Sequence, residues 1–374
     1  MLLCQKKKYP APSGILRNYK LNKERKIIMN PVKIGLVGLR FGAGLASGRL
    51  LGTENEKYVR LTAVCDMNKE LVEPFAEKHQ LPAYTDLDEM LQSADIEAVM
   101  LITPPAGRAK LIRKCLRAGK HVLTTKPFEL DPEEARSVLA EARERHLVVH
   151  LNSPAPHPSC DLAQIRLWQE KYDLGRPVSG LWETYAQYHE QADGTWFDDP
   201  VRCPAAPIFR LGIYGINELI AVFGKVRSVE VASGRIATGR PTPDNAQLLL
   251  RFENGALGSI YAALCINDGT LYPSALTLHL GNGTIRKTQV RAIGERDFTE
   301  VRMSLQTVVD GKLFREEVSL PAETRSGSYE FDRFCDAVRR GPSADEVDPE
   351  TIVEGIRVIA MMAAREQAGA AAGN

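Results

Sequence analysis

Three stretches of this chain carry side chains, or bare backbone, of a kind that does chemistry. The first is Gly38-Leu39-Arg40-Phe41-Gly42-Ala43, which follows the apolar positions Ile34, Leu36 and Val37. A glycine turn between a buried strand and a helix lets the backbone approach a pyrophosphate, and the helix N-terminus adds free N–H groups and a positive dipole end. Read as G-x-G-x-x-G/A, the pattern falls on Gly38, Arg40 and Ala43, with arginine at the middle position, which is usually bare. Arg40 either blocks the phosphates or swings out and pairs with one as a charge-assisted donor. A tight strand-to-helix turn that binds nothing is the plain alternative.

The second is Asp66, which closes the run Leu61–Cys65 and stands 28 positions after Gly38. A carboxylate at the end of this strand accepts hydrogen bonds from an adenosine ribose, which favours NAD over NADP. Met67 and Asn68 follow it, with no arginine to meet a 2′-phosphate. Otherwise Asp66 simply caps the next helix. The third is Lys126-Pro127, just after the run His121–Thr124. The carboxyl end of a strand is where open α/β sheets bind ligands. A lysine there can polarise a substrate oxygen or share its proton, unless it is only a surface residue on a loop.

Positioning these residues requires strands that alternate with helices. Apolar runs at 61–65, 98–103, 121–124 and 147–151 read as buried strands. Between them lie helical faces such as Leu111, Ile112, Cys115 and Leu116, and the helix start Asp131-Pro132-Glu133-Glu134, an N-cap acid with proline and acids in the first turn. Such alternation predicts a doubly wound parallel sheet. Past Asn152 and a proline-rich crossing the period changes. Long alternating runs appear at 178–188, 226–232, 247–252, 256–264, 276–280, 301–309 and 312–320, with hairpin turns at Asn254-Gly255 and Asp310-Gly311. Two helices follow, from Tyr329 to Arg340 and from Asp348-Pro349 onward. The expected fold class is therefore α/β: an N-terminal Rossmann-type parallel sheet at 31–150, then an α+β domain at 151–345 with a large open, mostly antiparallel sheet. A C-terminal helix and tail occupy 346–374.

Composition narrows the function class. Net charge is +1, so nothing calls for a nucleic acid or a membrane surface. The seven cysteines are scattered and form no C-x-x-C pair, which suits a reducing cytoplasm better than disulfides or zinc. No apolar run reaches the length of a membrane span. Residues 1–30 are lysine-rich without the apolar core of a signal peptide; they are expected to be a mobile arm, or to precede a natural start at Met29.

From Val32 to Phe128 the chain resembles the nucleotide-binding half of the Gfo/Idh/MocA oxidoreductases, the glucose–fructose oxidoreductase and inositol dehydrogenase family. The matching pieces are KIGLVGLRFGAG, AVCD, YTDLDEML, VMLITPP and AGKHVLTTKPF, in order; the likeness extends through the antiparallel sheet to DRFCDAVRRG. It implies hydride transfer between a nicotinamide cofactor, NAD before NADP, and a sugar, cyclitol or sugar-acid-like substrate. It also implies that Gly38, Arg40, Phe41, Gly42, Ala43, Asp66, Thr103, Pro104, Lys126 and Pro127 face the cofactor. The family's E-K-P motif reads Thr125-Lys126-Pro127 here, keeping the lysine and losing the glutamate. Its D-x-G-x-H motif reads Arg210-Leu211-Gly212-Ile213-Tyr214.

Tyrosine has family precedent in the histidine position. Tyr214 is expected to donate or accept a proton, with Lys126 lowering its pKa. Arg210 replaces an acid with a permanent cation and is expected to hold an anionic substrate group. Asn217, one turn on, and His157, in the proline-rich crossing, are further substrate-binding candidates. His189, Trp182, Tyr185, Tyr188 and Trp196 rank lower. His121 and His150 are expected to be buried and satisfied, and no cluster has metal-ligand spacing. The family commonly pairs subunits through its exposed sheet face, so a homo-oligomer, dimer or tetramer, is expected. The departures at Arg40, Thr125, Pro204 and Arg210 support an alternative: a catalytically degenerate member that binds cofactor or sugar as a sensor or partner.

Overall fold

The computed structural model describes residues 30–188, 190–291, 294, 300–322, 325, 327–341 and 347–372. The expected arm before residue 30, and His189, lie outside them.

Six short strands build the first sheet: β1 (Val32–Val37), β2 (Val59–Cys65), β3 (Ala83–Tyr84), β4 (Ala98–Leu101), β5 (His121–Thr124) and β6 (Val149–Leu151). They are all parallel, in the order β3-β2-β1-β4-β5-β6. β1 and β4 are apolar and buried almost throughout, as strands with helices on both faces must be. The helices are α1 (Leu39–Arg49), α2 (Lys69–His79), α3 (Leu87–Ser93), α4 (Arg108–Arg117) and α5 (Pro132–Glu144). Their starts follow from local chemistry. Asn68, Asp86 and Asp131 each accept a hydrogen bond from a backbone N–H two or three residues on. Asn68, not Asp66, therefore caps α2.

The second sheet has eight strands: β7 (Pro177–Tyr185), β8 (Val226–Gly234), β9 (Asn245–Phe252), β10 (Leu257–Ala263), β11 (Ser274–Leu280), β12 (Gly283–Gln289), β13 (Glu300–Val309) and β14 (Lys312–Pro321). Their order is β14-β13-β12-β11-β7-β10-β9-β8. Every pairing is antiparallel except β7 with β10. One face is covered by α6 (Cys160–Lys171), α7 (Ile213–Phe223) and α9 (Pro349–Ala372). A further helix, α8 (Phe331–Arg340), returns to pack Phe331, Phe334 and Cys335 into the core of the first sheet. Helix α9 joins the two halves: Ile352, Val353 and Ile356 enter the first core, and Val358, Ile359 and Met362 the second.

Candidate active site

The glycine turn forms a tight crossing at the end of β1. Gly38 has φ +91°, and a Cβ there would lie 2.6 Å from the Ile102 carbonyl oxygen, so only glycine fits. Helix α1 begins at the next residue. Its close packing falls on Gly42, where a Cβ would meet Leu36 Cδ1 at 3.0 Å, and not on the partly buried Ala43. Arg40 and Phe41 are exposed on the first turn, so the arginine does not fill the cradle.

Asp66 reaches the same place from β2. Its Oδ2 accepts from Leu39 N at 2.7 Å and its Oδ1 from Asn68 N at 2.9 Å. A carboxylate has about four acceptor sites, so capacity remains for ribose hydroxyls. Beyond β4, Thr103 Oγ1 is buried without a hydrogen-bond partner among the described residues, as a ligand-facing hydroxyl would be. Bare backbone, a spare acceptor and an unmatched hydroxyl at the carboxyl end of the sheet fit a dinucleotide. Gly38 and Leu39 would flank its pyrophosphate and Asp66 its ribose.

Lys126 sits on the turn after β5, held by several elements. Its backbone N–H donates to Asn152 Oδ1 at 3.0 Å, and Thr125 Oγ1 reaches the same oxygen at 3.3 Å. Tyr329 OH donates to Thr125 Oγ1 at 2.9 Å. The Lys126 Nζ donates to the Arg210 carbonyl oxygen and stands 4.5 Å from the centroid of the Tyr214 ring. Asn152 Nδ2 donates to the Tyr214 hydroxyl at 3.3 Å. Lys126 and Tyr214 thus meet, 88 positions apart in the chain.

Their electrostatics reverse one expectation. Burial, with the Arg210 charge beside it, lowers the Lys126 ammonium to about 7. Burial raises the Tyr214 phenol well above its ordinary value. The lysine sits over the ring face, not against the hydroxyl, and does not lower the phenol. The group poised near neutrality is therefore the lysine.

Arg210 is also corrected. It lies in a single π turn, Ile208–Gly212, that leads into α7. Both Nη atoms go to Glu190, at 2.6 and 2.9 Å, in a bidentate pair. The guanidinium lies 4.4 Å from the Phe197 ring centroid and 4.8 Å from that of Tyr188. Arg240 also holds Glu190, at 3.0 Å, and reaches Asp193 and Asp198. The Arg210 fork is committed inside the protein, so it does not serve as the anion clamp.

Asn217 and His157 line a different space. With Ser153, Ser159, Arg166 and Glu218 they border a cavity of about 120 Å³. Asn217 Nδ2 donates to Ser153 Oγ at 3.0 Å. Among the lower-ranked residues, Trp182 is core, Tyr185 OH donates to Asp268, and Trp196 stacks on Phe197 at 4.1 Å. His121 is partly buried and accepts from Val148 N, but His150 is buried with neither ring nitrogen bonded among the described residues. No described group of histidine, cysteine and acid residues is arranged to hold a metal.

Sequence reasoning missed Arg108, Asn152, Glu190 and Tyr329. Asn152 had a usable signal: it follows a strand end, as Lys126 does. Glu190 had none, because its pairing to Arg210 exists only in the folded chain.

Two family models match the chain. One is described as an oxidoreductase family with an NAD-binding Rossmann fold, over residues 32–153; the other as a GFO/IDH/MocA C-terminal domain, over residues 162–286. Among curated relatives, the dTDP-3,4-didehydro-2,6-dideoxy-alpha-D-glucose 3-reductase of Actinomadura kijaniata is 32% identical over 33% of this chain and 36% of its own length. The trans-1,2-dihydrobenzene-1,2-diol dehydrogenase of Sus scrofa is 27% identical over 62% and 67%. The matches to the first curated relatives thus span only 36–39% of those proteins. Among solved structures, the WlbA dehydrogenase of Bordetella pertussis, in complex with NADH and UDP-GlcNAcA, aligns at TM-score 0.66 and 17% identity. That alignment covers 91% of this chain and 97% of WlbA, and at such identity it speaks for the fold.

Proposed function

The chain belongs to the Gfo/Idh/MocA oxidoreductase family, with an NAD-binding Rossmann unit as its first half, and on that premise we propose that it is an NAD-dependent dehydrogenase or reductase of a sugar-like substrate. One observation carries the proposal: the Lys126 amine is held at the carboxyl end of β5, beside Tyr214, and lowered to about 7.

NAD, when bound, supplies the hydride acceptor or donor. This chain's own residues do the rest. Gly38 leaves the turn open to phosphate and Asp66 receives the ribose. Neutral Lys126 takes the proton from a substrate hydroxyl, and in the reverse direction returns it to the forming alkoxide. Tyr214 and Asn152 stand beside it and orient the substrate. The named activities of the relatives, on deoxysugar nucleotides and on a dihydrodiol, support a polyhydroxylated or sugar-nucleotide substrate. The alternative, a member that binds without turnover, is supported by the commitment of Arg210 to Glu190 and of the Tyr214 hydroxyl to Asn152.

Further proposals concern the whole protein. An exposed sheet face supports a homo-oligomer. The six cysteines among the described residues are all free, which supports a reducing compartment, the cytoplasm. No described helix is long and apolar enough to cross a membrane.

The test is a fluorescence titration of the purified protein with NADH and NADPH, followed by a turnover screen on sugars, sugar acids and sugar nucleotides. The expected result is tighter binding of NADH, weakened in Asp66→Ala, and turnover that requires Lys126. Binding without turnover on any of these substrates favours the silent member. Binding of neither cofactor ends the hydride-transfer proposal.

A further inference from the structure

Lys126 is gripped from two sides by guanidinium-bearing residues of other elements. Arg108, the first residue of α4, is only 2% exposed. Its Nη1 donates to the Thr125 carbonyl at 2.6 Å and to the Pro127 carbonyl at 3.0 Å, the two carbonyls that bracket Lys126. Its Nη2 donates to the Thr103 carbonyl, tying this turn to the end of β4. From the other side, Arg210 offers its backbone carbonyl to the Lys126 Nζ, while Glu190 fixes its side chain bidentately.

A cation at the first turn of α4 opposes the helix dipole, and burying it adds a desolvation penalty. Glu129 offsets part of the first effect by accepting from Gly107 N and Ala109 N. An arrangement this costly needs a reason beyond packing.

We propose that Arg108 and Arg210 are positioning residues for Lys126: they fix its amine against the Tyr214 ring, and their like charges favour its neutral, proton-accepting form. The inference rests on the role given to Lys126 above. The groups acting on the amine are Arg108 from α4, Arg210 from the π turn, Cys203 from the loop before it and Tyr214 from α7, while Asn152 after β6 holds the Lys126 backbone N–H. Burial lowers the ammonium most and Arg210 next; Cys203 acts in the opposite sense, and Arg108 lowers it least. Arginine suits the task because it stays charged across the working pH range, so its field does not titrate away. Glu190 is the counterweight, since its carboxylate partly cancels Arg210.

That counterweight gives a test with opposite signs. In the full-length protein, the pH dependence of Lys126 acetylation by acetic anhydride is read by peptide mass spectrometry, which needs no activity. The wild-type midpoint is expected at about 7. Arg210→Met should raise it by about one pH unit and Arg108→Met by less, because each removes a like charge and Arg210 acts the more strongly. Arg210→Lys, which keeps the charge, should hold it near the wild-type value. Glu190→Gln should lower it. If Arg108→Met fails to fold, Arg108→Lys and the Arg210 and Glu190 variants decide.

An unmoved midpoint in folded Arg210→Met and Glu190→Gln overturns the proposal, and so does a shift of the same sign in both. If the midpoints move as expected while Lys126→Met retains full turnover, the tuning stands and the assignment of Lys126 to proton transfer fails.

Discussion

At the scale of single residues, the proposed site rests on one titratable amine. Lys126→Met should lower kcat by about 10²–10⁴-fold, the usual worth of a positioned acid or base, while the NADH Kd changes little. Tyr214→Phe should cost less than about tenfold, because a phenol pushed this far up is a poor proton donor at neutral pH. The pH profile fixes the direction. A base must be neutral, so oxidation of an alcohol should rise as pH passes through about 7, and carbonyl reduction should fall over the same range. Steady-state kinetics in both directions checks this, and a profile without a transition near neutrality counts against Lys126. The placement of Lys126 after a strand was legible in the sequence because a strand end is a local feature. Arg108, Glu190 and the committed fork of Arg210 were not, since each gains its meaning from carbonyls or carboxylates distant in the chain.

At the scale of elements, two buried charges show why parts of the second half were hard to read. Strand β12 was not anticipated as a strand. Its inward positions are Ile285, Lys287 and Gln289, so polar residues stand where alternation demands apolar ones. Lys287 is 1% exposed and is held by Asp161 at 2.7 Å and Glu218 at 2.5 Å, tying β12 to α6 and α7. Lys287→Met leaves two carboxylates uncompensated and should cost about 3–5 kcal/mol in urea unfolding. Adding Asp161→Asn and Glu218→Gln should recover most of that loss; if it does not, the cost is one of shape, not charge.

The other buried charge is at the start of α8. Glu330 is buried, and neither carboxylate oxygen makes a hydrogen bond among the described residues, although Arg333 Nε stands 3.4 Å from Oε1. Burial raises its carboxyl from 4.5 to about 7. The folded chain then binds more protons than the unfolded chain between these values, so stability is lost as pH rises through that window. His150, pushed down to about 3 by burial, acts oppositely on acidification below 6.5, so the whole-protein profile mixes the two. The difference between wild type and Glu330→Gln isolates the glutamate. The variant should melt higher by a few degrees at pH 8 and gain much less at pH 5. An equal gain at both pH values would mean that burial does not raise the carboxyl above its value in the unfolded chain.

At the scale of the molecule, the division into a parallel and an antiparallel sheet was legible from the change of period near Asn152. The strand order was not. Strand β7 inserts between β11 and β10, pairing parallel with β10, and no local hairpin signal specifies that placement. The resulting sheet has helices on one face only. On the other, Leu181, Leu249 and Leu257 are each about half exposed, and Val308 and Leu313 about 60%. Leu181 and Leu249 flank Ser259 in one cross-strand row, so the apolar residues lie close together. A broad apolar face on an open sheet is a liability in a lone chain and a natural seam between copies. Light scattering after size exclusion should therefore give a multiple of the 41.4 kDa chain. Leu181→Glu with Leu249→Glu should bring the mass to that of one chain, because a carboxylate placed at the seam meets its own copy across the symmetry axis or loses its water. These leucines belong to the second sheet and the glycine turn to the first, so NADH binding should survive in the monomer. A wild-type protein that runs as one chain would remove the oligomer from the proposal and leave the exposed row without a role.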